Sequence, residues 1–174
     1  MNPCFVEAYL ALANFYELRN RLDMAIKTIK NLLQINPNLI PGLMALGKLF
    51  LSQGDLLNVL TTFEKVINLD PQNADAYYNL GIVYYHNKDY PNAIEFFNKA
   101  IEVGNHANAH LYLAYIYELR GEMDRAIEEL RTRIRMQKNE KDRFAEEARK
   151  HLFEIMKRRG VIDSLLTNAE GKHQ

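Results

Sequence analysis

The sequence predicts an all-α protein, a solenoid of helix–turn–helix repeats closed by a C-terminal capping helix. Three observations carry this expectation. Apolar residues recur at helical spacing. Marker residues recur at a constant interval: the helix-stopping Pro37 and Pro71 are 34 residues apart, as are Leu46-Gly47 and Leu80-Gly81. The 174 residues amount to about five such intervals.

Four copies follow, at 6–39, 40–73, 74–106 and 107–140. In the third copy Tyr77, Leu80, Gly81 and Tyr84 stand at i, i+3, i+4 and i+7, one face of a first helix. Ala93, Phe97 and Ala100 continue the spacing on a second helix. A polar break separates the two helices: Asn20-Arg21, Gly54-Asp55, Asn87-Lys88-Asp89 and Gly121-Glu122 in the successive copies. Gly and Asn accept the left-handed conformation that ends a helix. Lys88 departs from this and carries backbone strain if the turn is unchanged. Pro37 and Pro71 stop the second helices because proline cannot extend the hydrogen-bond ladder. Each helix then has roughly 13 residues and is about 20 Å long.

A small residue recurs in the first helix as Ala13, Gly47, Gly81 and Ala114. Close approach of the two helices explains it, with Ala25, Val59, Ala93 and Ala126 expected to face it. Tyr16, Phe50, Tyr84 and Tyr117 fill the space beside them. One hairpin cannot bury both of its faces, so neighbouring copies must stack.

The two ends differ. Asn2-Pro3 precedes Asn36-Pro37 by 34 residues, so the chain reads in phase as starting within the last residues of a preceding repeat. The leading face of the first repeat is expected to be uncapped and to favour self-association. At the other end Phe144, Ala145, Ala148, Leu152, Ile155 and Met156 form an apolar stripe, expected as a capping helix in 141–160 that stops at Gly160. Residues 161–174 read as a tail.

Composition narrows the function. Lys plus Arg equal Asp plus Glu at 22 each, 48% of residues are hydrophobic, and there is one cysteine. A disordered chain, a disulfide framework and a multi-cysteine metal site are excluded on these figures. No secretory signal or membrane span is legible, and the single cysteine suits a reducing compartment, so the cytoplasm is expected. No nucleophile motif or Gly-rich phosphate loop occurs; no catalytic residue, cofactor or metal is expected. Glu128-Glu129 and Glu146-Glu147 read as an ion-paired face beside Arg131, Arg133, Arg149 and Lys150. His106 and His110 share a metal-compatible spacing, but His110 holds a packing slot and a third ligand is missing.

Charge is uneven: residues 1–130 are net −5 and residues 131–159 net +6. Arg131, Arg133, Arg135 and Lys138 form the candidate basic patch, suited to an acidic partner or RNA. Nucleic acid is the lesser expectation, since no aromatic is interleaved before Phe144.

The aromatic, Leu-Gly, Tyr, Ala, Phe and Pro pattern resembles the tetratricopeptide repeat. The third copy fits best, and the first also fits through Tyr9, Leu12, Ala13, Tyr16, Ala25 and Pro37. The fourth departs: His110 holds the aromatic slot, Arg133 a small core slot, and the closing Pro is missing, as if drifting toward a solvent-facing end. The resemblance implies a right-handed α-solenoid serving as a non-enzymatic scaffold for protein partners. It also implies a concave groove lined by first helices. The inward slots hold Met44, Lys48 and Leu51, then Tyr78, Ile82 and Tyr85, then Leu111 and Tyr115. An apolar or aromatic peptide segment is the expected occupant. The basic carboxylate-gripping slots of chaperone-binding members are not reproduced, so no acidic chaperone tail is expected there. The alternative is a docking or regulatory segment of a larger enzyme or complex, or acidic-partner or RNA binding through the basic helices.

Overall fold

The computed structural model describes residues 3–160, the side chain of Pro3 excepted. The opening Asn2 and the tail 161–174 lie outside the described residues. Among the described residues there are nine helices: α1 (Pro3–Leu18), α2 (Leu22–Ile35), α3 (Ile40–Gln53), α4 (Leu56–Leu69), α5 (Ala74–His86), α6 (Tyr90–Gly104), α7 (Ala107–Leu119), α8 (Met123–Arg135) and α9 (Arg143–Arg158). No strand occurs among them, and no helix is long and apolar enough to cross a membrane. The chain divides into two compact units, Met1–Asn105 and His106–Gln174.

The first unit is three hairpins, α1–α2, α3–α4 and α5–α6, each packed on the next through α2 on α3 and α4 on α5. First helices also touch along the row, α1 to α3 and α3 to α5. The second unit is the α7–α8 hairpin with α9 packed on both helices.

One turn geometry closes all four hairpins. Asn20, Gly54, Lys88 and Gly121 take φ of 56°, 79°, 61° and 76°. In each the following amide donates back five residues: Arg21 to Tyr16, Asp55 to Phe50, Asp89 to Tyr84 and Glu122 to Tyr117, at 2.8–3.0 Å. The left-handed residue's own amide donates three residues back, as Lys88 does to Tyr85 at 3.0 Å. Together these bonds satisfy carbonyls that a helix end otherwise leaves open. Lys88 thus occupies the left-handed slot that its sequence position implied, with the strain that a side chain meets there. The next helices begin on side-chain caps in two of these turns: Asp55 accepts from the Asn58 amide and Asp89 from the Asn92 amide.

The close approach is present inside the α3–α4 and α5–α6 hairpins, but its partner differs from the one expected. A Cβ on Gly47 would stand 2.7 Å from the Phe63 ring, and one on Gly81 2.6 Å from the Phe97 ring. Val59 and Ala93 lie one turn earlier and are not the nearest atoms. Where the small residue is Ala, the register-equivalent partner is Ile29 or Leu130 instead of Phe, and all four partners are 0% exposed. Glycine therefore accompanies phenylalanine, and alanine accompanies an aliphatic chain.

The fourth copy is also not a surface in the making. Arg133 is 2% exposed and His110 9%. Where the other copies bury Leu32, Val66 and Ala100, this hairpin buries a guanidinium and supplies polar partners around it.

Candidate interaction surfaces

The expected groove residues fall in both units. In the first unit the 34-residue register sets three rows across α1, α3 and α5: Leu10, Met44 and Tyr78; Asn14, Lys48 and Ile82; Glu17, Leu51 and Tyr85. Leu10, Asn14, Glu17, Met44 and Lys48 line one open cavity of about 310 Å³, together with Ala13, Pro41, Ala45 and Leu49. Met44 is half-buried and Lys48 exposed. At the polar end the Ser52 hydroxyl donates to Glu17 at 3.2 Å.

On α5, Tyr78 is half-buried, its ring 5.9 Å from that of Phe97. Tyr85 is half-buried too, its ring 5.5 Å from His86 and 6.1 Å from Tyr90. Leu51 packs against the core as a half-buried side chain. Ile82 is 7% exposed and offers little to a ligand. The reason is angular: Ile82 follows the packing residue Gly81, so a rotation of about 100° leaves a short aliphatic chain beside the helix contact. Lys48 holds the matching slot on α3 but is long enough to carry its charge out to water.

In the second unit Leu111 is 1% exposed and is core, not groove lining. It adjoins His110 as Ile82 adjoins Gly81. Tyr115 remains half-buried, but α9 engages it: its hydroxyl donates to Glu147 at 2.6 Å and its ring meets His151 edge-on at 4.9 Å. Glu118, one turn further on α7, binds His151 Nε2 and, at 2.8 Å, Arg158. Of these three α9 residues, the sequence places Glu147 on an ion-paired face instead, and does not mark His151 or Arg158. They lie 32 to 40 residues from their α7 partners, and no local pattern marks them.

The basic patch does not hold together. Arg133 Nε donates to Asn108 at 3.1 Å and Nη2 to Asp142 at 2.5 Å. Its Nη1 is buried without a partner among the described residues. Asp142 also caps α9 through the Ala145 amide, so one carboxylate ties α8 to the start of α9. The hydrogen bond from Arg133 holds its carboxyl below the usual range. Arg131, Arg135 and Lys138 are exposed, and Arg135 pairs with Glu128 at 3.0 Å. Arg131 borders a depression of about 340 Å³ between α8 and α9, where Arg159 pairs with Asp124.

The acidic pairs divide. Glu128 and Glu146 form exposed ion pairs, with Arg135 and Lys150. Glu129 instead sits 2.6 Å from His110 Nδ1, which occupies that nitrogen in a structural contact. His106 stands at the N-terminal end of α7.

Three family models match the chain: tetratricopeptide repeat models over residues 6–39 and 74–103, and a TPR repeat model over 47–88. Among curated proteins nothing matches. Several solved structures share the fold. A crystal structure of MamA is 24% identical, with 88% of this chain and 97% of that chain covered and a TM-score of 0.64. Pseudomonas aeruginosa pilF is 18% identical over 88% of this chain and 68% of its own, with a TM-score of 0.76. TTC0263, a thermophilic TPR protein in Thermus thermophilus, is 22% identical over 93% and 87%, with a TM-score of 0.70. Identities this low speak to the fold alone.

Proposed function

Since the chain belongs to the tetratricopeptide repeat family, whose members are protein-interaction scaffolds, we propose that it holds an apolar or aromatic peptide segment of a protein partner along the first-helix rows of its first unit. The observation that supports this most is the open cavity beside Met44 and Lys48, in a row whose packing neighbours Leu43, Leu46 and Gly47 are all buried. Apolar side chains left open beside a filled core suit recognition better than stability. The same row continues to the half-buried Tyr78, and its neighbour to Tyr85; tyrosine gives contact area at low entropy cost. Glu17 and Lys48 would set the direction of the bound segment through opposite charges at one end. The chain is read as a scaffold and not as an enzyme, and its lone cysteine still suits the cytoplasm.

The test is selection of binding sequences from a peptide library on immobilised protein. Peptides that bind the intact chain should lose about tenfold or more in affinity to a Met44→Ala, Tyr78→Ala, Tyr85→Ala variant, a change of ~1.4 kcal/mol or more. Helix content by circular dichroism should stay the same. Undiminished affinity would remove the groove assignment, and loss of helix content would return these side chains to the core.

RNA or acidic-partner binding through α8 and α9 is the weaker reading, because Arg133 is enclosed and Arg135 is already paired. We also infer self-association through the leading face of α1, where Leu12 is 44% exposed while its equivalents Leu46 and Leu80 are 8% and 1% exposed.

A further inference from the structure

α9 is seated as the first helix of a further hairpin. Gly160 takes a φ of 68°, and its amide donates three residues back to Lys157 at 3.0 Å. That is the left-handed turn of Asn20, Gly54, Lys88 and Gly121. Setting Gly160 on Gly54 sets Arg158 on Ser52 and Arg159 on Gln53. The contacts of both positions recur. Ser52 donates to Glu17, and Arg158 donates to Glu118, the register equivalent of Glu17. Gln53 donates to Asp23 at 3.4 Å, and Arg159 donates to Asp124, the equivalent of Asp23, at 2.6 Å. The depression between α8 and α9 also repeats one in the first unit: Asp124, Ile127, Met156 and Arg159 line it where Asp23, Ile26, Phe50 and Gln53 line the other. The first-unit depression has a further wall, Asp55 and Asn58 at the start of α4.

The side of α9 that a second helix would cover is exposed. Phe153 holds the slot of Ala13, Gly47, Gly81 and Ala114, all of which are buried. Phe153 itself is 52% exposed. Leu152 and Met156 are half-buried, whereas Leu46 and Leu113, and Phe50 and Tyr117, are buried in the same slots.

We propose that the occupant is residues 162–170 of this chain, docked as a short second helix on the face of α9 that carries Leu152, Phe153 and Met156. These residues lie outside the described ones, and their order carries the assignment. Ile162, Leu165, Leu166 and Ala169 stand at i, i+3, i+4 and i+7, one face of a helix. Counted from the turn, they hold the slots of Leu56, Val59, Leu60 and Phe63 on α4, and of Met123, Ala126, Ile127 and Leu130 on α8. Size supports the same register. On α3 and α5 a small first-helix residue meets a large one: Gly47 meets Phe63, and Gly81 meets Phe97. On α9 the first-helix residue is the large Phe153, and the residue in the slot of Phe63 and Phe97 is the small Ala169. The roles are exchanged and the summed volume is kept, which close packing requires. Asp163 falls in the first turn, as Asp23 and Asp124 do on α2 and α8, where a carboxylate meets the positive end of a helix. The segment then takes the face on which a partner helix would otherwise pack.

Hydrogen exchange of the full chain, read by mass spectrometry, tests the docking. Amides in 165–170 should exchange roughly tenfold or more slowly in the wild type than in Phe153→Asp, which leaves their intrinsic rates untouched. The α9 amides should be equally protected in both, because Phe153 already meets solvent; their protection separates undocking from loss of α9. Leu166→Asp should lose the same protection. Thr167→Asp should keep it, since Thr167 holds the slot of the exposed Thr61. That pair decides the matter on its own if Phe153→Asp unfolds α9. Absence of protection in the wild type overturns the proposal. Protection that survives Phe153→Asp places the segment against another face and also overturns it. Protection that rises with protein concentration between about 1 and 50 µM would mean that the segment covers α9 of a second copy, and overturns docking within one chain.

Discussion

Replacing Gly81 by Ala should destabilise the first unit, and replacing Phe97 by Leu in the same chain should recover much of the loss. The added Cβ would stand 2.6 Å from two carbons of the Phe97 ring and 3.0 Å from a third. Favourable carbon contacts lie at about 3.5–4.0 Å, so the ring would have to retreat by roughly 1 Å. Phe97 is 0% exposed, and close-packed surroundings leave no room for that retreat. Overpacking of this kind costs about 1–3 kcal/mol. Phe97→Leu alone leaves a void and costs about half of the ~3–5 kcal/mol of a Phe→Ala change. The double variant recreates the combination that the second unit holds in the same register, Ala114 and Leu130, both 0% exposed. Its cost should fall below the sum of the single costs by at least ~1 kcal/mol. Urea unfolding followed by far-ultraviolet circular dichroism, on all four proteins, measures the coupling. If the costs add to within about 0.5 kcal/mol, or Gly81→Ala is neutral, the size-matching argument fails.

Other outcomes follow from the same structure. Lys88→Gly relieves a left-handed φ of 61° while keeping both turn hydrogen bonds, and should stabilise by about 1 kcal/mol, a Tm rise of roughly 2–4 °C in a thermal melt. Arg133→Ala should cost about 3–5 kcal/mol, because it strips a buried guanidinium from Asp142 and Asn108 and leaves the space empty. That cost depends on pH. Asp142 has its folded pKa lowered by Arg133, so the stabilisation is present above the ordinary carboxylate range and disappears as pH falls through the lowered value. The stability gap between wild type and Arg133→Ala should therefore narrow below about pH 4, in urea titrations across pH. Tyr115→Phe removes the donor to Glu147 and should cost at most about 1 kcal/mol, since the bond is solvent-exposed; a larger loss would mean that this contact anchors α9.

The repeat period, the turn positions and the strained Lys88 were legible before any coordinates, because each is a local property. A glycine in a left-handed slot, or a lysine replacing it, declares itself wherever the period is known. The small-residue slot was also legible, but its partner was not. Val59 and Phe63 lie on the same helix one turn apart, and only the approach of α3 decides which touches Gly47. The inward slots share one helical face in the sequence, yet Ile82 and Leu111 are enclosed while Lys48 is not. Helical angle alone ranks these positions equally; side-chain length and the neighbouring helices separate them.

Arg133 shows the same limit from the other side. In sequence it is one of several cations in a basic stretch, and charge counts treat it like Arg131 or Lys138. In the fold it holds the buried slot that Leu32, Val66 and Ala100 hold in the other copies, and its partners come from α7 and from the cap of α9. The all-helical class, the 34-residue unit and the turns follow from the order of residues alone, since backbone preferences and apolar period act over near neighbours. Which members of each helical face stay open to a partner is settled only once the helices pack, since burial and ion pairing are made by residues brought together from distant parts of the chain.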